Sequence, residues 1–230
     1  MGSRRHPQNP ADPLILIVPG LNDSGPDHWQ THWENSVPGC ERVDLGMWDK
    51  PHRNTWVNRL NLAIYRAGQP VVLVAHSLGC HAVAWWAEYE QPGPSSNVVG
   101  ALLVAPPDVE QPGLDPRIAR FGPLTPGPFP FPTILAASHN DPYLRFVDAR
   151  RMAKQWGSHL VDAGRIGHIN AQSDIGDWPF GMMLLDQLLP RPVRHRYLEL
   201  QTFEAEQESD VVIRAYQQAW AQLNNRPTAN

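Results

Sequence analysis

Short, wholly apolar runs alternate with longer amphipathic runs through most of this 230-residue chain. Runs that are apolar on both faces are typical of strands in a parallel sheet covered by helices on both sides. Five runs predict strands, at residues 14–18, 71–75, 98–104, 133–137 and 159–161. Five others have helical spacing and predict helices, at residues 28–36, 54–67, 78–89, 143–156 and 178–189. Regular alternation of this kind predicts an α/β domain with a mostly parallel sheet flanked by helices.

The length fits one such domain, because single cores tend to split only beyond roughly 250–300 residues. We predict a flexible N-terminus over residues 1–12, the α/β domain over 13–189 and a C-terminal extension over 190–230. Four apolar residues recur within the extension at helical spacing: Ile213, Tyr216, Trp220 and Leu223. The extension therefore predicts an amphipathic helix. We expect it to dock on its own domain or, in a homo-oligomer, on a second copy of the chain.

The charge balance bears on the class of partner. Nineteen Lys and Arg residues against 23 Asp and Glu residues give a net charge of −4. Because nucleic-acid binding draws on clustered Lys and Arg against phosphates, we expect no nucleic-acid partner. The early apolar run, residues 14–18, is too short for a signal peptide or a membrane span. We therefore expect no membrane association and a cytoplasmic location.

Cysteine and histidine spacing argues against a metal site. The only cysteines, Cys40 and Cys80, match neither a disulfide framework nor zinc-ligand spacing. His28 and His32 have the i, i+4 spacing of paired metal ligands, but no glutamate follows His28 and no third ligand is evident. We expect both histidines to lie on the helix surface or line a pocket, and we expect no metal or cofactor.

Ser77 lies at the junction of a predicted strand and a predicted helix, in the sequence Ala-His-Ser-Leu-Gly. This is the setting of a nucleophile elbow, a sharp turn that lifts a serine hydroxyl onto a helix N-terminus. Strand and helix approach closely there, so the positions two before and two after the serine must be small. Ala75 and Gly79 meet that demand. The alternative is that Ser77 only caps the helix that follows it.

A nucleophilic serine needs a base, and the base needs an orienting carboxylate. On the α/β-hydrolase fold the chain order is serine, then Asp or Glu, then histidine. His168 follows the last predicted strand in a Gly-punctuated loop, and we interpret it as the base. Asp141 follows the strand at 133–137 and is the preferred acid, while Asp108, after the strand at 98–104, is its rival.

Two further features concern the surroundings of this site. An oxyanion hole needs two backbone N–H groups, and we expect them from Leu78, at the helix N-terminus, and from Leu21, in the loop after the first strand. Gly20 would supply the backbone freedom that aims the Leu21 amide. Residues 106–132 hold nine prolines, which excludes a regular helix or central strand. This proline-rich segment is either a lid or a crossover loop.

Several of these motifs together resemble a known family. They are residues 14–29, Trp33, Ala-His-Ser-Leu-Gly at 75–79, Ser-His-Asn-Asp-Pro at 138–142 and Gly-His at 167–168. The chain resembles, over about residues 14–189, the bacterial branch of the retinoblastoma-binding protein 9 serine hydrolases. The resemblance implies a small α/β hydrolase with little or no cap, and Ser77, Asp141 and His168 as its triad. Spacing alone indicates the same three residues.

The sequence therefore predicts a serine hydrolase that cleaves an ester, thioester or amide bond of a small acyl substrate through an acyl-enzyme. The alternative is a binding or scaffolding protein that keeps the fold without turnover.

Overall fold

The computed structural model describes residues 13–189, and within them the prediction of an α/β fold is confirmed. Six strands form one sheet in the order β2-β1-β3-β4-β5-β6, and every neighbouring pair is parallel. The strands are β1 Leu14–Val18, β2 Cys40–Arg42, β3 Val71–His76, β4 Val98–Val104, β5 Thr133–Ala137 and β6 His159–Asp162. The predicted N-terminus and C-terminal extension lie outside the described residues.

The helices that connect the strands match most of the predicted ones within a few residues. They are α1 Trp29–Ser36, α2 Arg53–Ala67, α3 Leu78–Glu90, α4 Pro116–Ala119, α5 Phe146–Trp156 and α6 Pro179–Asp186. The predicted helix at 143–156 is three residues too long, because residues 142–145 form the loop that carries the chain from the end of β5. No helix within residues 13–189 is both long enough and apolar enough to cross a membrane.

Both faces of the sheet are buried, as the wholly apolar strands predict. On one face the side chains of Leu16 and Leu73 pack with α2, α3 and α5. On the other face Ile17 and Val74 pack with α1 and α6. Because the strands are parallel, the loops at their carboxyl ends meet along one edge, which is where ligands bind in open α/β sheets.

The proline-rich segment, residues 106–132, connects β4 to β5 and packs closely on the helices. The prediction that it contains no regular helix is wrong for the four residues of α4, where Pro116 takes the first position of the helix and needs no N–H partner. Ile118 and Phe121 are buried in the core on the α2–α3–α5 face. The indole N–H of Trp85 donates a hydrogen bond to the carbonyl of Phe121, and that of Trp156 donates to the hydroxyl of Thr125. These contacts are those of a packed crossover loop rather than of a free-standing lid.

Candidate active site

Ser77 forms the sharp turn between β3 and α3. Its backbone has φ 52° and ψ −124°, a strained conformation for a residue with a side chain, of the kind that clusters at functional sites. The turn brings strand and helix together: a Cβ on Gly79 would lie 2.3 Å from the carbonyl oxygen of Val18. The hydroxyl of Ser77 makes no capping hydrogen bond to α3, so the capping role is not observed.

The side chains of Ser77, His168 and Asp141 form a continuous hydrogen-bonded chain. The hydroxyl of Ser77 lies 2.9 Å from Nε2 of His168. The opposite ring nitrogen of His168, Nδ1, lies 2.9 Å and 3.0 Å from the two carboxylate oxygens of Asp141. Because a carboxylate only accepts hydrogen bonds, Nδ1 carries the proton, and Nε2 is left to accept from the Ser77 hydroxyl. Only 3% of the Asp141 side chain is exposed, so water has little access to this pair.

Asp108, the rival acid, has a different role. Its carboxylate accepts a hydrogen bond from the backbone N–H of Glu110, in a local Asx turn. Its own backbone N–H donates to the carbonyl of Tyr143. The structure therefore brings Asp141, and not Asp108, to the imidazole of His168.

Two residues that the sequence analysis did not single out join the Asp141 turn to the His168 loop. The hydroxyl of Ser138 accepts a hydrogen bond from the backbone N–H of Ile166 and donates to the amide oxygen of Asn140. The same oxygen of Asn140 accepts from the backbone N–H of Gly167. Both residues belong to the Ser-His-Asn-Asp-Pro motif, which was the available signal.

Tyr143 lies at the mouth of the site. Its ring meets the imidazole of His168 edge to face, with the ring centroids 4.5 Å apart, and 41% of the residue is exposed. Its backbone N–H donates to a carboxylate oxygen of Asp141. Tyr143 thus contacts both the carboxylate of Asp141, through its backbone, and the imidazole of His168, through its ring.

Three further histidines near this edge of the sheet are buried. Burial lowers the pKa of His28 to about 4, and the charge of the nearby Arg42 adds to that effect. Burial likewise holds the pKa of His76 well below 6.5, with a further lowering from His28. The pKa of His81, on α3, is also lowered by burial to about 4. All three imidazoles are therefore neutral at pH 7.

The prediction that His28 lies on the helix surface is wrong, because its ring is buried and caps α1. Nδ1 of His28 accepts a hydrogen bond from the backbone N–H of Gln30, whereas His32 pairs with Asp177 at 2.9 Å. Within residues 13–189, no three His, Cys, Asp or Glu side chains are grouped so that they could hold a metal ion.

The loop after β1 lies directly against the turn that Ser77 forms between β3 and α3, here called the Ser77 turn. A Cβ on Gly20 would lie 2.8 Å from the Cβ of Ser77 and 3.2 Å from the backbone nitrogen of Leu78. Glycine is therefore needed at position 20 because the loop lies so close to the turn. The expectation that Gly20 supplies backbone freedom is wrong, since the left-handed conformations are found at Asn22 and Asp23 instead. Among the turn, loop and cap hydrogen bonds within residues 13–189, none is donated by the backbone N–H of Leu21 or Leu78.

A surface groove of about 520 Å³ lies between the loop at 108–112 and α5. Its lining includes Arg145 and Arg151, and both pair with Asp148, at 2.6 Å and 3.0 Å. Ser77 is not among the lining residues. The serine hydroxyl therefore lies outside this groove.

Comparison with known families shows which family the chain belongs to. The family model described as "Serine hydrolase" matches residues 15–187. The chain belongs to the serine hydrolase family. The match spans the sheet, the Ser77 turn and the His168 loop of this serine hydrolase. Among curated proteins, none is similar enough to this chain to count as a match.

Solved structures agree with the fold. A YdeN-like hydrolase from Pectobacterium atrosepticum is 35% identical, with a TM-score of 0.66, over 77% of this chain and 92% of that one. The ydeN gene product of B. subtilis is 21% identical, with a TM-score of 0.64, over 76% and 98% of the two chains. Est1E from Butyrivibrio proteoclasticus is 14% identical, with a TM-score of 0.58, over 78% and 90%. The last two show similarity of fold alone. The narrower resemblance to retinoblastoma-binding protein 9 is not confirmed by these comparisons.

Proposed function

We propose that this serine hydrolase cleaves an ester, thioester or amide bond of a small acyl substrate, with Ser77, His168 and Asp141 as its catalytic triad. The observation that carries the proposal is the continuous chain of hydrogen bonds: 2.9 Å from the Ser77 hydroxyl to Nε2 of His168, and 2.9 Å from Nδ1 of His168 to Asp141. A nucleophile, a base and an orienting carboxylate in this geometry are what acyl transfer requires.

In the first half of the reaction the oxygen of Ser77 attacks the substrate carbonyl carbon, and Nε2 of His168 accepts the hydroxyl proton. The resulting tetrahedral intermediate collapses when His168 gives that proton to the leaving oxygen, sulfur or nitrogen, which leaves an acyl-enzyme on Ser77. Water then attacks the acyl-enzyme, His168 takes a proton from it and returns it to Ser77, and the acid is released. Asp141 holds the tautomer of His168 that makes both transfers possible.

The negative oxygen of the tetrahedral intermediate would be bound by the backbone N–H groups of Leu78 and Leu21. Leu78 is the first residue of α3, where N–H groups have no partner within the helix and the helix dipole favours negative charge. Gly20 allows the loop that carries Leu21 to approach the Ser77 turn. A single donor of this kind contributes about 10²–10³-fold to kcat.

Narrower parts of the proposal come from the sequence. The reaction as written requires no cofactor, and its partner is a small-molecule acyl substrate rather than a nucleic acid or a membrane. We propose membership of the retinoblastoma-binding protein 9-like branch, a cytoplasmic location, and docking of the extension at 190–230 either on its own domain or, in a homo-oligomer, on a second copy of the chain. The Ala-His-Ser-Leu-Gly and Ser-His-Asn-Asp-Pro motifs support the branch assignment.

The test is covalent labelling with a fluorophosphonate probe, which reacts with activated serines. The wild-type protein should be labelled at Ser77, and Ser77→Ala should lose both labelling and hydrolysis of a panel of p-nitrophenyl esters and aminoacyl arylamides. Ser36→Ala, an exposed serine on α1, is the matched control and should be labelled at the wild-type rate. A folded Ser77→Ala protein that keeps wild-type turnover would contradict the nucleophile assignment. A folded wild-type protein with neither labelling nor turnover would favour the binding or scaffolding role.

A further inference from the structure

Two consecutive backbone carbonyls in the His168 loop accept hydrogen bonds from buried side chains far away in the sequence. The carbonyl of His168 accepts from Nε2–H of His76 at 2.9 Å. The carbonyl of Ile169 accepts from the indole N–H of Trp29 at 2.8 Å. His76 ends β3, Trp29 begins α1, and both lie on the α1–α6 side of the sheet.

The loop that these bonds hold has an unfavourable backbone conformation. Gly167 and Ile169, on either side of His168, have φ of 63° and 49°. A positive φ is a genuine outlier for a β-branched residue such as isoleucine, and it persists only where the surroundings determine it. The hydrogen bonds from His76 and Trp29 are contacts that fix the backbone at that point, and the backbone sets where the His168 ring stands.

The ring of His76 is itself packed against two other aromatic rings. Its ring lies edge to face against that of His28, with centroids 4.7 Å apart, and against the ring of Trp29 at 6.2 Å. His28 caps α1 through Nδ1, so one residue both packs against His76 and fixes the start of the helix that carries Trp29. This arrangement gives a role to the His28-Trp29 pair of the sequence, which the proposed chemistry does not otherwise use.

We propose that His76 and Trp29 are positioning residues for the catalytic base: together they form a clamp that holds Nε2 of His168 in line with the hydroxyl of Ser77. The clamp rests on the proposed function, since it acts through His168. His76 precedes Ser77 in the chain, so its bond to the His168 carbonyl ties the backbone of the base to the backbone of the nucleophile.

The experiment removes each N–H donor and keeps an aromatic ring in its place, with His76→Phe and Trp29→Phe. Two matched controls lose the same kind of bond elsewhere. In His81→Phe the lost bond is to the carbonyl of Pro107, 2.7 Å away. In Trp56→Phe it is to the carbonyl of Gly46, 2.9 Å away. Each protein is compared with wild type in kcat, KM, fluorophosphonate labelling rate and melting temperature.

The clamp variants should lose about 10- to 100-fold in kcat and in labelling rate, with KM changed less than about twofold, because misplacement of a catalytic group slows chemistry more than binding. The controls should keep the wild-type kcat even where their melting temperatures fall. Clamp variants that are folded and match the controls in kcat would overturn the inference. A wild-type protein that does not label would instead overturn the proposed function.

A second pair of variants covers the case in which the phenylalanine variants do not fold. In His76→Gln the side-chain amide N–H lies near the position of Nε2, whereas in His76→Asn the side chain is one methylene shorter and cannot reach the carbonyl of His168. A kcat for His76→Gln several times that of His76→Asn supports the clamp. Equal values for these two variants would overturn it.

Discussion

His81 should make the stability of this protein depend on pH. The residue lies in α3 and is only 1% exposed; its Nε2–H donates to the carbonyl of Pro107 at 2.7 Å, and its ring packs edge to face on Trp156. Burial lowers its pKa to about 4, although the hydrogen bond and the charge of Asp108 act in the opposite direction. In the unfolded chain the pKa of a histidine is about 6.5.

The sign of the effect follows from which state binds the proton. Between pH 6.5 and about 4 the unfolded chain is protonated at His81 while the folded protein is not, so acidification favours unfolding. Between pH 8 and pH 5 the free energy of unfolding should fall by about 2 kcal/mol on account of this one side chain. The contribution is complete above pH 6.5 and is lost as the pH falls toward 4.

The measurement is urea unfolding of the wild type and of His81→Phe at pH 8, 7, 6 and 5. At pH 8 the variant should be less stable by about 1–3 kcal/mol, because the buried carbonyl of Pro107 loses its donor. That difference should shrink by about 2 kcal/mol at pH 5, since only the wild type loses the neutral His81 contribution. His28 and His76 are present in both proteins, so their contributions to the pH dependence cancel in the difference. A difference that stays constant from pH 8 to pH 5 would refute the reasoning.

Three other predictions concern Asp141, the Ser77 turn and the extension. Asp141→Asn should lower kcat by about 10⁴-fold in a steady-state assay, because asparagine favours the wrong imidazole tautomer. Asp108→Asn should change kcat little. Equal losses in the two variants would contradict the proposal that Asp141 orients His168. Gly79→Ala should destabilise the fold by about 1–3 kcal/mol or more in a thermal melt, because the new Cβ meets the carbonyl of Val18; an unchanged melting temperature would argue against the close approach of β1 and α3. Deletion of residues 190–230 should lower the melting temperature or change the oligomeric state in gel filtration, while probe labelling at Ser77 persists. A folded deletion variant that is no longer labelled would mean that the extension helps to build the site.

Most of the sheet was predictable because its strands are apolar on both faces, which leaves little choice of partner or fold class. The exception is β2, a three-residue edge strand that reads Cys-Glu-Arg and contains one buried residue, Cys40. A strand that short shows no periodicity. It pairs with β1 because the chain leaving α1 runs back along the edge of the sheet, and this is a consequence of tertiary packing.

The arrangement of Ser77, Asp141 and His168 was predictable for a related reason. Each follows the carboxyl end of a different strand, and in a parallel sheet those ends meet at one edge. The residues that hold them were not predictable, because the bonds of His76 and Trp29 join positions 92 and 140 residues apart in the sequence. Such partners depend on strand register and helix placement, which local patterns do not determine.

Ser77 and His168, the proposed nucleophile and base, are held in different ways, and His76 joins the two. The turn at Ser77 is positioned by backbone contacts. Gly79 and Gly20 allow the main chain at the end of β1 and in the loop after it to lie against the turn. The backbone N–H of Ser77 donates a hydrogen bond to the carbonyl of Val104. His168 stands on a loop and depends on side chains from elsewhere. Because His76 is the residue before Ser77, a small displacement of the end of β3 would carry the hydroxyl and the support of the imidazole together. The distance between the Ser77 oxygen and Nε2 of His168 would then change less than the position of either group, which is the requirement for proton transfer between them.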